Sequence, residues 1–282
     1  MADPMELLGP EWGVLRQEAV SLGLSGARVS RMLDARGRPV AFVKSADSRI
    51  RHLVHSIEAG AARLTWLARL AVPVPEVLGT GADGGRIWLA TRALAGRPAS
   101  DPWPEADRDA VVDLIARATR ELHATVVADA PLRFDMSLSS LFPDIRERVE
   151  SGLVDRSWAA AGRKGPSAAV VLAELESMVS ELGGGRPAVS HGDLSLPNVL
   201  IDRYRVSGFV DVGRAGVADP HSDLADMVRS LSSHLNPQFG TASAERFLDV
   251  YGRDRVDPDR LRLHDLLEGF FWPVPEARAS HG

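Results

Sequence analysis

Apolar positions change their spacing along this chain. Up to about residue 92 they come in short runs of strand length. The runs 27–34 and 38–44 flank the turn Ala35-Arg36-Gly37, and 76–79 and 86–92 flank the glycine-rich turn 81–85. Between the two pairs, 50–70 repeats its apolar residues at helical spacing, with Leu53, Ile57, Leu64 and Leu67 on one face. That helix stops before Val72-Pro73-Val74-Pro75. Beyond residue 98 the helical period dominates, predicting helices over 105–125, 136–152, 167–183, 221–233, 241–252 and 258–271. The chain thus reads as α+β: a small β-rich lobe over 1–92, a linker at 93–98 and a larger, mainly helical lobe over 99–282. Internal repeats and low-complexity tracts are absent from the sequence.

One segment of the second half breaks the helical pattern, and it carries the chemistry. Residues 188–228 read AVSHGDLSLPNVLIDRYRVSGFVDVGRAGVADPHSDLADMV. Val199-Leu200-Ile201 and 206–210 are two short apolar strands around the turn Asp202-Arg203-Tyr204-Arg205. Such a hairpin returns the chain, so Asp211 is predicted to land near Asn198. Asp193 and Asn198 share a short loop that Pro197 keeps out of helix. A base carboxylate, an amide and a second carboxylate in this order are what kinase-type phosphoryl transfer requires. One carboxylate accepts or orients the attacking hydroxyl, while the amide oxygen and the other carboxylate hold Mg²⁺ against the nucleotide phosphates. Asp193 is the candidate base, and Asn198 and Asp211 are the candidate metal ligands. His191 is assigned to fixing the loop by hydrogen bonding.

Composition narrows the setting. With 282 residues, 45% of them hydrophobic, the chain can bury one large core or two small ones. A net charge of −5 leaves no basic field for nucleic acid. The sequence has no cysteine, hence no disulfide framework and no thiolate chemistry. Neither a signal peptide nor a long apolar run is visible, which predicts a soluble, cytoplasmic protein without membrane contact. The segment Gly162-Arg163-Lys164-Gly165-Pro166-Ser167 lacks the spacing and the helical sequel of a P-loop.

The run 188–228 resembles the catalytic core of the aminoglycoside phosphotransferase family, and within it the 3′-phosphotransferase branch. The similarity extends to RLTWLARLAVPVPEVL (63–78), WLATRALAGRPASDPWP (88–104), Leu122-His123 and AERFLDVYGRDRVD (244–257). It implies a two-lobed, eukaryotic-protein-kinase-like fold that moves the γ-phosphate of ATP, or GTP, to an antibiotic hydroxyl with Mg²⁺. Lys44, at the end of Val40-Ala41-Phe42-Val43, takes the place of the nucleotide-binding lysine. Ser25 and Gly26, in Gly23-Leu24-Ser25-Gly26-Ala27, resemble the nucleotide-positioning loop, whose small residues admit phosphates. Thr91 and Ala93 fall where the linker offers backbone groups to the adenine edge. One departure concerns the helix after Lys44. The family's glutamate lies six residues before the Trp of its L-x-W-L run, and here that position is Gly60.

The substrate end departs further. Three segments that usually bring carboxylates to a polycationic sugar are altered: RSWAAAGRKGP (156–166) and SLSSHLNPQFG (230–240) hold no acid, and the terminal acidic pair is replaced by Glu268-Gly269 before Phe270-Phe271. Glu268 and Asp155 remain as candidate substrate carboxylates. Fewer acids point away from a kanamycin- or neomycin-like substrate toward a less densely charged antibiotic, such as a tuberactinomycin cyclic peptide of the capreomycin or viomycin type. Arg214 is placed against Asp219, and Asp219 and Asp223 against the start of the following helix. The partner is a small-molecule antibiotic, and the protein is expected as a monomer or weak homodimer. Two other readings remain, a metabolic small-molecule kinase of the same superfamily and a pseudokinase that binds nucleotide without turnover.

Overall fold

Alternation of side chains in the first lobe determines which residues face the nucleotide end. A computed structural model describes residues 15–20, 27–127, 131–152, 154 and 167–271. Strands β1 (Arg16–Val20), β2 (Arg28–Leu33), β3 (Pro39–Asp47), β4 (Val77–Asp83) and β5 (Arg86–Arg92) form an antiparallel sheet in the order β1-β2-β3-β5-β4. Lys44 pairs with Leu89 and Ala46 with Ile87 across β3 and β5. Period two therefore puts Lys44 on the same face as Leu89, Ala46 and Ile87. Helix α1 (Arg51–Arg69) covers that face, packing Ile57, Leu64 and Leu67 into the core that holds those three apolar residues. The opposite face carries a smaller cluster of Met32, Ala41, Val43, Trp88 and Ala90.

The two lobes are sewn together by backbone. Beyond β5, the two-residue strand β6 (Arg97–Pro98) pairs with β8 (Val199–Asp202), which pairs in turn with β9 (Arg205–Phe209). The Phe209 N–H donates to the Pro73 carbonyl at 2.8 Å, and the Ser207 hydroxyl donates to the Ala95 carbonyl. A further pair, β7 (Ala188–Ser190) and β10 (Gly216–Ala218), brackets the loop that contains Asp193. Around these strands stand α2 (Glu105–His123), α3 (Leu138–Glu150), α4 (Ala168–Leu182), α5 (His221–Ser232), α6 (Thr241–Gly252) and α7 (Pro258–Glu268). The main core joins Val112, Ile115 and Ala116 of α2 to Leu224, Met227 and Leu231 of α5 and Phe247 of α6. A second cluster ties α3, α4 and α7 through Ile145, Leu175, Leu263 and Phe270.

The seven α-helices among the described residues and the three predicted hairpins fall within a few residues of the periodicity. The strands β1, β6, β7 and β10 are not anticipated by it. The edge strand β1 reads RQEAV, too polar to stand out, and β6, β7 and β10 are too short for any period to register. No helix among the described residues is long and apolar enough to cross a membrane.

Gly60 lies buried in the middle of α1, and a Cβ built there meets nothing closer than the Leu89 Cδ2 at 3.9 Å. The helix needs no glycine at this point, so Gly60→Ala should stabilise the fold by about 0.5–1 kcal/mol, the helix-propensity gap between the two residues. A rise in the thermal midpoint of about 2 °C by calorimetry is the expected result. A fall would mean that the space beside Leu89 is narrower than the backbone implies.

Candidate active site

The loop after β7 is held from beneath by one carboxylate. Asp223 of α5 is fully buried, and its two oxygens accept the backbone N–H groups of His191 at 2.7 Å and Gly192 at 2.8 Å. His123, at the end of α2, reaches the same carboxylate through Nε2 at 3.1 Å, and its Nδ1 lies 2.9 Å from the Tyr251 hydroxyl. Since the carboxylate only accepts, Nε2 carries the proton, and in the neutral ring Nδ1 receives the Tyr251 O–H. Burial alone would raise the Asp223 pKa, but the bonds from His123 and the His191 backbone hold it below the ordinary value. Burial likewise pushes the Tyr251 phenol up to about 12, with the charges of Asp223 and Asp219 adding to it, so the hydroxyl stays a donor. Sequence places Asp223 in the capping of its own helix; in the structure it is the anchor of the loop instead.

Above the anchor the backbone turns through Gly192, which sits at φ +77° with the Arg214 carbonyl so close that a Cβ would overlap it. Leu194 and Leu196 are wholly buried on either side of the next turn and root the loop in the core. The His191 ring spans the loop: its Nε2–H donates to the Val210 carbonyl at 2.9 Å, leaving Nδ1 to accept the Asp193 N–H at 3.3 Å. Its bonds are all to backbone, in keeping with a fixing role.

Asp193, Asn198, Asp211 and Lys44 come together across the cleft. The Asn198 Nδ2 donates to the Asp193 carbonyl at 2.9 Å and to its carboxylate at 3.3 Å. Both of those atoms only accept, so the amide nitrogen must face them and the amide oxygen is left to face away. The hairpin brings Asp211 alongside: Val199 pairs with Phe209, and the Val210 N–H donates to the Asn198 carbonyl at 2.9 Å. Asp211 itself is left-handed, at φ +56°, a conformation that Asp adopts more readily than most residues. Its carboxylate meets the Lys44 Nζ at 2.9 Å. With glycine at position 60 and Glu58 exposed, Asp211 is the only acid that pairs with Lys44 among the described residues. Burial raises the Asp193 pKa; Glu268 and Asp211 add to the shift, while His191 and Arg214 oppose it. A cation suits this donor set, because Asn198 offers a free amide oxygen and Asp211 a half-exposed carboxylate, and Mg²⁺ commonly takes few protein ligands beside substrate phosphates.

On the other side of Asp193 lies a pocket lined by Ser190, Gly192, Arg214, Asp226, Glu268 and Phe271, among others. Arg214 grips Glu268 with both terminal nitrogens at 3.0 Å and lies over the Phe271 ring, 4.4 Å from its centroid. This corrects the placement of Arg214 against Asp219. That carboxylate instead accepts from the His221 backbone and ring and from Arg260. Burial opposes the Arg214 charge, but Glu268 beside it more than compensates, and the arginine pKa is raised. The Asp226 carboxyl is raised well above its usual value, first by burial and then by Glu268. Glu268 thus lines this pocket with both oxygens already engaged by Arg214.

The linker is less open than expected. Thr91 lies within β5, opposite Phe42 and Val77, and the Ala93 N–H donates to the Val40 carbonyl at 3.0 Å. Of the backbone groups that the resemblance offers to adenine, the Ala93 N–H is thus used to close the sheet. Ser25, Gly26 and Asp155 lie outside the described residues, as do the insert 156–166 and the tail 272–282.

Comparison with known proteins finds clear relatives of the chain. The model of the phosphotransferase enzyme family matches residues 16–264. An aminoglycoside 3′-phosphotransferase of Streptomyces fradiae is 40% identical over 256 residues, covering 90% of this chain and 94% of the relative. Among solved structures, an aminoglycoside 3′-phosphotransferase of type VIII superposes with a TM-score of 0.79 at 38% identity, covering 95% of this chain and 97% of the other. An aminoglycoside phosphotransferase of Streptomyces rimosus, solved with ADP and streptomycin, gives 0.71 at 27% identity, covering 96% and 100%. The fold is thereby the two-lobed, protein-kinase-like one, with a β-rich N-lobe and a helical C-lobe.

The loop anchor makes a specific demand. Asn in place of Asp223 keeps the shape but turns an N–H₂ toward one of the two backbone donors. Asp223→Asn should therefore cost about 1–3 kcal/mol of stability from the donor left unsatisfied. The same variant should also lower turnover. Equal midpoints for the two proteins in urea unfolding would show that the loop does not rest on this carboxylate.

Proposed function

Because the chain belongs to the phosphotransferase enzyme family and stands with its aminoglycoside phosphotransferases, we propose a role for each residue of the site around Asp193. The protein is an antibiotic kinase, which moves a phosphoryl group from a bound nucleotide to a hydroxyl of a small-molecule antibiotic. Asp193 meets the acceptor hydroxyl. As the acceptor oxygen bonds to the γ-phosphorus, the bond to the β–γ bridging oxygen breaks, ADP leaves with that electron pair, and the hydroxyl proton passes to the Asp193 carboxylate. Two features favour that part: Asn198 fixes the carboxylate, and burial raises its affinity for a proton above that of an exposed aspartate.

Asn198 and Asp211 are the residues that would hold Mg²⁺, which supplies positive charge to the phosphate oxygens. Lys44 is the nucleotide-binding lysine, held by Asp211 until phosphate oxygens compete for its ammonium. Ser25 and Gly26 are proposed to pass the nucleotide phosphates with their backbone, and the linker around Thr91 and Ala93 to flank the base through groups other than the Ala93 N–H.

For the acceptor we favour a tuberactinomycin-type antibiotic, and for the enzyme a monomer or weak homodimer. The observation behind this choice is the Arg214–Glu268 pair, which consumes the one described acid at the position of the family's terminal carboxylates. With no acid in the sequence of 156–166 or 230–240, and with Asp226 of the pocket wall already bonded to Arg229, a densely cationic sugar finds few carboxylates. Asp155 is the remaining acidic candidate.

Three outcomes are expected. Asp193→Asn should reduce turnover by about 10²–10⁴-fold while leaving binding of a non-hydrolysable ATP analogue in place. Because the working form is the ionised one and its pKa is raised, kcat/KM of the native enzyme should fall with acid at a pH above the ordinary aspartate value. In coupled nucleotide turnover against capreomycin, viomycin, streptomycin, kanamycin and neomycin, the cyclic peptides should be the better acceptors. Preferential turnover of kanamycin or neomycin would refute the peptide assignment and leave the kinase assignment standing.

A further inference from the structure

A second cleft, of about 610 Å³, opens on the C-lobe with none of Lys44, Asp193, Asn198, Asp211 or Glu268 in its walls. That volume lies within the range of small-molecule sites. Its walls come from the C-terminal end of α2, the chain entering β7, the start of α5, and the turn between α6 and α7. Tyr251, whose hydroxyl is bonded to His123, is part of the lining.

Charge distinguishes this cleft. Four guanidiniums line it, those of Arg120, Arg186, Arg255 and Arg260, against a single carboxylate, Asp219. That carboxylate and Arg260 satisfy each other at 2.9 Å, and Arg260 also donates to the Leu182 carbonyl at the end of α4. Three guanidiniums are left. Arg120 makes one long bond, 3.5 Å to the Val250 carbonyl, and Arg186 and Arg255 make no hydrogen bond or ion pair with any described residue. Elsewhere many surface arginines of this acidic chain are paired, as Arg246 is with Asp113 and Arg253 with Asp249. Two unpaired guanidiniums and a third held by one long bond, all lining one concavity, match the forked recognition of phosphate oxygens. We propose that this cleft is a binding site for a small polyanion carrying phosphate groups, separate from the site of phosphoryl transfer.

The test is calorimetric titration of inorganic pyrophosphate into the full chain, already saturated with a non-hydrolysable ATP analogue so that the nucleotide site is filled. One saturable site is expected, weakening as salt is raised. In Arg186→Ala/Arg255→Ala the affinity should drop about tenfold or more. Arg186→Lys/Arg255→Lys should keep a larger part of it. Both residues are exposed, and thermal melts report whether the variants fold; the single variants Arg186→Ala and Arg255→Ala serve if the double one does not. No saturable heat with the native chain, or equal affinity in the alanine variants, would overturn the proposal. Neither result depends on catalysis, so failure here leaves the kinase reading intact.

Discussion

A single buried carboxylate carries the loop on which the reaction depends. Asp223 has been taken fully out of water, a cost that several kcal/mol would measure were it unpaired. Three donors offset that cost, two of them backbone N–H groups of the loop itself. The dependence is mutual, because the loop donors would be orphaned without the acid and the acid would be uncompensated without the loop. This reciprocity fixes the backbone one residue before Asp193, and the left-handed turn at Gly192 then aims Asp193 into the cleft. Only a central helix can present such an anchor, which accounts for the burial of α5 on nearly every side, acids included.

Order at the site follows a gradient from this anchor outward. Close to Asp223 the groups are dry and fully bonded. Asp193 and Asn198 are partly open and joined by a weaker bond at 3.3 Å. At the rim Lys44 and Asp211 form a half-exposed pair across the lobes, worth little as a surface salt bridge and hence easily exchanged. Under the proposed roles, a firmly held base beside a loosely held cation site suits a reaction in which one part must be positioned and the other must accept and release nucleotide.

Local sequence carried much of this. Helix α1 was legible from Ile57, Leu64 and Leu67, and the hairpin that returns Asp211 to Asn198 from two apolar runs around Asp202–Arg205. Those features involve neighbours in the chain, where period and turn chemistry act directly. The pairs Arg214–Glu268, His123–Asp223 and Lys44–Asp211 join residues far apart in sequence, and each partner alone has an ordinary local explanation. An aspartate in the first turn of a helix is most often a cap, so Asp223 gave no sign of its reach. The bond of the Ala93 N–H is hidden for a related reason, since nothing local tells that the sheet runs on to claim it through the Val40 carbonyl.

The position of α7 has a consequence for the order in which a working enzyme comes into being. Glu268 at its end steadies Arg214, and Arg260 near its start clasps Asp219 and the carbonyl of Leu182. Asp193, Asn198 and Asp211 all leave the ribosome well before this helix does. A nascent chain that already holds the loop of Asp193 still lacks the partner of Arg214, while Asp219 has only His221 to meet it. The pocket beside Asp193 is therefore closed by the last described helix, and its walls are complete only once that helix is in place.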